Sequence, residues 1–338
     1  MDRILEAVML LGASAGAAVV IERLVLSVAV RRRWLVAPND RSSHTVPTPG
    51  IGGIAVVVPV LAWAAWAASH GDPLGVVVLG GGGVLATLGL ADDLFTLSAR
   101  VRLPVQLAAI AFALWWLPRP EGLTIEPMRV GSSWVITAVL TGGLLWLVNL
   151  YNFMDGIDGY AGTQCVLFCG GVGALGAFTG VTLPSVLWVV AGASLGFLWF
   201  NWAPARIFLG DVGSGFLGFM LGLVALVLDA SGTLPFVATM LLLTGFWFDA
   251  TYTLCARMLT RQRFAAAHRS HLYQKLAMRV GHASTTRWLI VYEVMWLFPF
   301  AWASVTFPEW QWACVVAACV PIAAACARMR AGLPERSE

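Results

Sequence analysis

Residues 74–93 read LGVVVLGGGGVLATLGLADD, eighteen residues without a charge closed by Asp92 and Asp93. A helix crossing about 30 Å of hydrocarbon needs about 20 mostly apolar residues, and this run meets that requirement. Working outward, ten further stretches read the same way, near 4–29, 51–68, 103–118, 134–151, 161–180, 183–200, 213–229, 233–257, 288–307 and 310–327. The chain of 338 residues is 59% hydrophobic and only 12% charged, against about 25% charged in a soluble domain. This excludes a cytosolic enzyme and a disordered chain, and six cysteines are too sparse for a disulfide scaffold. The expected fold is an all-α polytopic membrane protein of 10–11 transmembrane helices, one integral-membrane domain over 1–338, with its chemistry on loops. The first stretch does not read as a cleaved leader, because Glu22 and Arg23 interrupt it and Arg31-Arg32-Arg33 follows it.

Eleven spans put alternate loops on opposite sides. The loops 30–50, 92–102, 152–160, 201–212, 258–287 and the tail, with Arg257 at their edge, hold 17 of 21 Lys and Arg residues. The opposite set holds Arg3, Arg119 and Arg129. The positive-inside rule therefore expects the first set in the cytoplasm. Trp34, Trp115, Trp116, Trp134, Trp199, Trp202, Trp288, Trp310 and Trp312 cluster at span ends as interfacial anchors. Glycine runs at 80–83, 142–143 and 170–171 are expected to let helices approach closely, and Leu123–Val130 reads as a small hairpin. The cysteines, in or beside apolar runs, read as small hydrophobes without metal-ligand spacing.

Asp40, Asp92, Asp93, Asp155, Asp158 and Asp211 all fall in the basic set of loops or at their helix junctions. A transporter is expected to place acids at the bilayer midplane instead. Acids gathered at one surface beside arginines suit a polyanionic substrate held through a divalent cation. Asp92 and Asp93 repel one another unless a cation offsets them, and Arg100 and Arg102 follow closely. In Asn152-Phe153-Met154-Asp155-Gly156-Ile157-Asp158-Gly159 the two acids are three apart and share a face on a helical turn. The stretch lacks the other oxygen positions and closing glutamate of a Ca²⁺ loop. Asp211 opens the eighth span, where free helix amides favour anions. Phe208 reads equally as a membrane anchor or a nucleobase platform. The basic loop 258–287 suits anionic lipid, while His268 and His271 are assigned to phosphate or sugar hydroxyls. Glu22, Asp249 and Glu293 read as interhelical partners.

These motifs, in order over about 38–276, resemble the polyprenyl-phosphate N-acetylhexosamine-1-phosphate transferases. The resemblance rests on Asp40-Arg41 with Pro47-Thr48-Pro49 and Gly52-Gly53, Asp92-Asp93, Arg102 with Gln106, and Asn152–Gly159. It continues through Pro204-Ala205-Arg206-Ile207-Phe208-Leu209-Gly210-Asp211-Val212-Gly213-Ser214 and Asp249. It implies transfer of a sugar 1-phosphate from a UDP-N-acetylhexosamine to undecaprenyl phosphate with release of UMP. The setting it implies is the bacterial cytoplasmic (inner) membrane, with the active site facing the cytoplasm. Carried over by position, Asp211 and Asn152 would ligate Mg²⁺, with Mn²⁺ as the alternative ion. Asp92 and Asp93 would lie near the lipid phosphate, Phe208 and Asn201 around the uridine, and Asp155 and Asp158 in the same surround. Asp40, Arg102, His268 and Arg269 are expected on substrate, and His271 on the reacting phosphates. The partners are then UDP-sugar, undecaprenyl phosphate and membrane lipid, with no nucleic acid; a homodimer is compatible with the resemblance.

One departure stands out. Many relatives carry an acid, an arginine, a histidine and, two residues on, paired histidines. Here His268 replaces the acid, His271 keeps the first histidine position, and Tyr273-Gln274 replaces the pair. This form looks like bacterial transferases that initiate O-antigen or capsule-type glycans in lipopolysaccharide and cell-surface biogenesis. A transporter of nucleotide- or lipid-linked sugar is the alternative, but the sequence contains no inverted repeat and no pair of interrupted helices.

Overall fold

The computed structural model describes residues 2–36, 47–117, 122–125, 128–131, 134–262 and 268–333. Thirteen helices carry the described chain: α1 Asp2–Arg32, α2 Ile54–Ser69, α3 Pro73–Phe95, α4 Ala99–Trp116, α5 Trp134–Phe153, α6 Tyr160–Thr179, α7 Val186–Asn201, α8 Gly210–Ala230, α9 Phe236–Leu241, α10 Thr244–Leu259, α11 Leu272–Val280, α12 His282–Thr306 and α13 Pro308–Arg328. Two antiparallel hairpins accompany them: β1 Leu35–Val36 with β2 Thr48–Pro49, and β3 Gly122–Ile125 with β4 Met128–Gly131. The second is the hairpin expected at Leu123–Val130. All eleven apolar stretches are helical, and the ninth is broken between α9 and α10 at Leu242-Leu243. Seven helices (α1, α3, α5, α6, α8, α12 and α13) are long and apolar enough by themselves to cross a membrane, and α2 and α7 are shorter apolar helices. The chain is an all-α, multi-pass membrane protein.

Helix α8 is the hub. It is the most thoroughly buried of the long helices, with α3, α5 and α2 packed around it. Its residues from Phe216 to Leu226 are enclosed almost continuously, as expected for a helix apolar all round. The helices around it turn apolar residues outward to the bilayer. The tryptophans at the ends of these helices, among them Trp115, Trp134, Trp199 and Trp288, are exposed, as interfacial anchors require.

The glycine expectation holds only in part. Side chains at Gly80, Gly81, Gly82 and Gly171 would meet Phe112, Ala109, Phe216 and Leu242, but Gly83, Gly142, Gly143 and Gly170 face open space. The helical spacing is also altered there, because Val78–Gly82 forms a π turn inside α3. The tightest use of small residues lies elsewhere, between α1 and α7. A Cβ on Gly192 would sit 2.2 Å from both the Leu11 carbonyl oxygen and Ser14 Oγ, and one on Gly196 would sit 2.4 Å from the Ala15 carbonyl oxygen. Without a hydrophobic drive between helices in lipid, such backbone contact supplies the association.

Gly192→Leu is therefore expected to lower stability by about 1–3 kcal/mol through overpacking, read as a lower Tm in detergent. Gly142→Leu, which meets open space, serves as the neutral comparison.

Candidate active site

The site is assembled where α3, α4, α5 and α8 end together. Asp92 is buried in the last turn of α3. Its Oδ1 accepts from the Leu97 amide at 2.5 Å, and its Oδ2 accepts from Arg102 Nη1 at 2.6 Å. The same Arg102 nitrogen lies 3.5 Å from Asp211 Oδ2, so one guanidinium bridges the two acids. Asn152, at the end of α5, donates Nδ2 to Asp211 Oδ1 and to Ser214 Oγ at 3.0 Å. Behind them Asn149 Nδ2 donates to Gln106 Oε1 at 3.0 Å. Asp92, Arg102, Gln106, Asn149, Asn152 and Asp211 line a tight cleft of about 30 Å³.

Asp93 has a different role from Asp92. Its two oxygens accept from the amides of Asp211 and Val212 at 2.8 and 2.9 Å. A carboxylate on α3 thus caps the start of α8, satisfying amides that have no partner within their own helix. Asp93 positions Asp211 rather than facing a ligand. Segment 49–53 fixes the same joint: Phe208 N donates to the Pro49 carbonyl, and Gly52 N and Gly53 N donate to the carbonyls of Phe208 and Leu209.

Asn201, expected around the uridine, is engaged within the protein. It is buried, its Oδ1 accepts from the Gly159 amide at 2.9 Å, and its Nδ2 donates to the Ile207 carbonyl at 2.9 Å. Both ends of the amide are used to tie the acidic loop to the Phe208 loop, so Asn201 shapes the site from behind. Phe208 itself is half-buried.

In the acidic loop, Asp158 Oδ2 accepts from the Ala205 amide at 3.1 Å and lies 3.3 Å from His282 Nδ1. Thr286, one turn further along α12, donates Oγ1 to the Asp158 carbonyl at 3.3 Å. The Asp155 amide donates to the Asn152 carbonyl at 3.2 Å, while its carboxyl has no hydrogen-bond or ion-pair partner among the described residues. Burial, then the carboxylates of Asp211, Asp93 and Asp158, raise its carboxyl well above the usual range.

Asp249 repeats on α10 what Asp93 does on α3. Its Oδ1 and Oδ2 accept from the amides of Leu272 and Tyr273 at 2.8 and 3.0 Å, capping α11. It is an interhelical partner, as expected. Glu293, buried in α12, is not one by hydrogen bonding: neither of its carboxyl oxygens has a hydrogen-bond partner among the described residues. The same holds for Glu22, which is buried and whose carboxyl has no hydrogen-bond partner among the described residues.

His271 is buried with Nδ1 3.6 Å from Asp249 Oδ1, and its ring stacks on His268 at 4.9 Å. It points to Asp249, and among the described residues no hydrogen bond or ion pair joins it or His268 to Asp92, Asp93, Asp155 or Asp211. Arg269 is half-buried. Asp40 lies outside the described residues. Among the described residues, no group of three or more His, Cys, Asp or Glu side chains is arranged to hold a metal ion.

Sequence reasoning missed His282 and Thr286 and saw Tyr273 only as a departure from relatives, yet each contacts the acidic loop. Only their proximity to the histidine loop in the chain hinted at this.

Comparisons with known proteins identify the family. The Glycosyl transferase family 4 model matches residues 75–229, from α3 through α8. A decaprenyl-phosphate N-acetylglucosaminephosphotransferase of Mycobacterium leprae is 30% identical over 84% of this chain and 80% of its own length. A probable undecaprenyl-phosphate N-acetylglucosaminyl 1-phosphate transferase of Bacillus subtilis is 26% identical over 82% and 79%. A phospho-N-acetylmuramoyl-pentapeptide-transferase of Fusobacterium nucleatum is 31% identical over 56% and 62%. The fold and site define a membrane-embedded glycosyl transferase. More particularly, the chain belongs to the polyprenyl-phosphate hexosamine-1-phosphate transferase family.

Two predictions arise here. Asp93→Ala removes both acceptors from the start of α8 and is expected to cost about 0.5–2 kcal/mol, the usual worth of a cap. Asp93→Asn keeps one acceptor, and its Tm in detergent should fall between the two. Separately, burial, then the nearby His271 and Arg257 charges, lower the His268 pKa to about 4. The unfolded chain, with His near 6.5, binds the proton first, so stability falls as pH drops from about 6.5 to 4. Melting curves at pH 7.5 and 5 should show a smaller acid loss for His268→Gln than for the parent chain.

Proposed function

We propose that this protein transfers N-acetylhexosamine 1-phosphate from a UDP-sugar to undecaprenyl phosphate at the cytoplasmic face of the bacterial inner membrane. UMP is released, and the lipid-linked product starts an O-antigen or capsule-type glycan. The observation that carries this reading is the Asp92–Arg102–Asp211–Asn152 cluster at the end of α5, a helix flanked by apolar cavities. One, about 550 Å³, is lined by Trp115, Leu140 and Leu226, and the next, about 430 Å³, by Leu140, Leu147, Leu150 and Leu226. Together they suit an isoprenoid tail whose phosphate meets the site at the end of the same helix. The basic loops and the names of the relatives support the same face and the same acceptor class.

Asp211 carries carboxylate oxygens and Asn152 an amide oxygen beside the nitrogen it gives to Asp211; such oxygens are the hard ligands that Mg²⁺ takes, and few protein ligands suffice because Mg²⁺ keeps water and substrate phosphate in its shell. A bound Mg²⁺ would neutralise the pyrophosphate of the donor. The chain's own residues do the rest by alignment and charge. A lipid phosphate oxygen attacks the sugar-bearing phosphorus, and the bond to the bridging oxygen breaks, that oxygen leaving with UMP. A phosphate monoester has its second pKa near ~6, so the attacking oxygen needs no base at cytosolic pH. Asp92 and Asp93 have both oxygens engaged in hydrogen bonds, which favours direct attack over a covalent aspartyl intermediate. Asp92 orients Arg102, whose guanidinium is placed to meet incoming phosphate charge. Arg269 and His271, on the loop after α10, are assigned to the sugar-phosphate side.

Purified protein with undecaprenyl phosphate, Mg²⁺ and a panel of UDP-N-acetylhexosamines should release UMP with one donor. EDTA should abolish release, and Asp211→Ala should lower it by about 10²-fold or more. No release from any donor by folded protein would sink the proposal.

A further inference from the structure

The dipeptide Tyr273-Gln274 stands where the sequence departs from its relatives, and neither side chain has a role in the reaction as described above. Yet Tyr273 is 1% exposed and held at every edge. Its amide donates to Asp249 Oδ2 at 3.0 Å, and its ring stacks on Tyr160 with centroids 4.9 Å apart and planes 15° from parallel. Its hydroxyl donates to the Phe153 carbonyl at 2.8 Å and meets the Gly156 backbone amide. The phenol therefore spans the turn that carries Asp155 between those two residues. Gln274 supports it: Oε1 accepts from the His271 amide at 3.3 Å, and Nε2 lies beside Gly156. The turn has no room to relax toward the phenol, since a Cβ on Gly156 would sit 2.2 Å from Tyr273 Oη.

We infer that Tyr273 is a positioning residue for the transfer reaction: its hydroxyl staples the Phe153–Gly156 turn and thereby aims Asp155 into the site. The inference rests on the reaction proposed above, but the staple itself is a structural claim with its own readout. The Tyr160–Phe246 stack, centroids 5.1 Å apart, continues the column into the bundle. Tyr273→Phe keeps this stack and the Asp249 cap and deletes only the bridge. A buried tyrosine hydroxyl normally has a partner; here its partners are the two ends of one functional turn.

The experiment uses the full chain in detergent, as Tyr273→Phe, Gly156→Ala and the double variant. Hydrogen–deuterium exchange should show faster exchange across 153–159 in Tyr273→Phe, with peptides of α10 and α11 unchanged. UMP release should show kcat lower by about 10- to 100-fold, with KM for both substrates within about twofold of the parent. The double variant should be little worse than either single one, because both break the same contact. Unchanged exchange at 153–159 overturns the staple. Faster exchange with kcat preserved, or a loss confined to KM, overturns the positioning role. If the parent chain releases no UMP, the reaction reading fails and takes the positioning role with it, while exchange still decides the staple.

Discussion

Two carboxylates that belong to one helix and terminate another hold this site together. A helix leaves its first amides without intrahelical partners, and in a membrane protein there is little water to take them. Asp93 on α3 supplies the acceptors for α8, and Asp249 on α10 supplies them for α11. Each cap is bidentate, so it fixes direction as well as distance. Asp211 is in the first turn of one capped helix, and Tyr273 in the first turn of the other. The reactive loops inherit their placement from these joints.

The remaining charge is balanced sparingly. Arg102 bridges Asp92 and Asp211, while the Asp155 carboxyl is left without a partner among the described residues. An unpaired acid in a half-buried loop is costly, and this loop tolerates it because the surrounding turn is held from behind. Asn201, His282 and Thr286 all contribute to that hold. Such a frame keeps negative groups facing one another until a cationic or phosphate-bearing ligand changes the balance.

Much of this was legible in the residues. Long apolar runs declared the helices, because a bilayer imposes both length and composition. The convergence of Asp92, Asn152 and Asp211 followed from their shared position at span ends in the basic set of loops. The distinct duties of Asp92 and Asp93 did not, since adjacent acids look alike until the helix they cap is placed beside them. The internal hydrogen bonds of Asn201 were not legible for a similar reason: an amide at a motif edge carries no sign of which way it turns. Gly142 and Gly170 looked like packing sites, but helix rotation turns them to open space. Tyr273 was noticed only as a departure. Its contact with Phe153 spans 120 positions of sequence, and no local pattern announces such a pairing.

Under the proposed reading, in which they hold the acceptor's tail, the apolar cavities along α5 have a kinetic consequence. An acceptor that enters sideways from the bilayer is encountered by diffusion in two dimensions, so its effective concentration is a mole fraction of the surrounding lipid. Adding inert detergent or lipid at constant bulk acceptor would thin that surface and slow turnover, although nothing in solution had changed. The rate of such an enzyme is set partly by the composition of the membrane in which it sits.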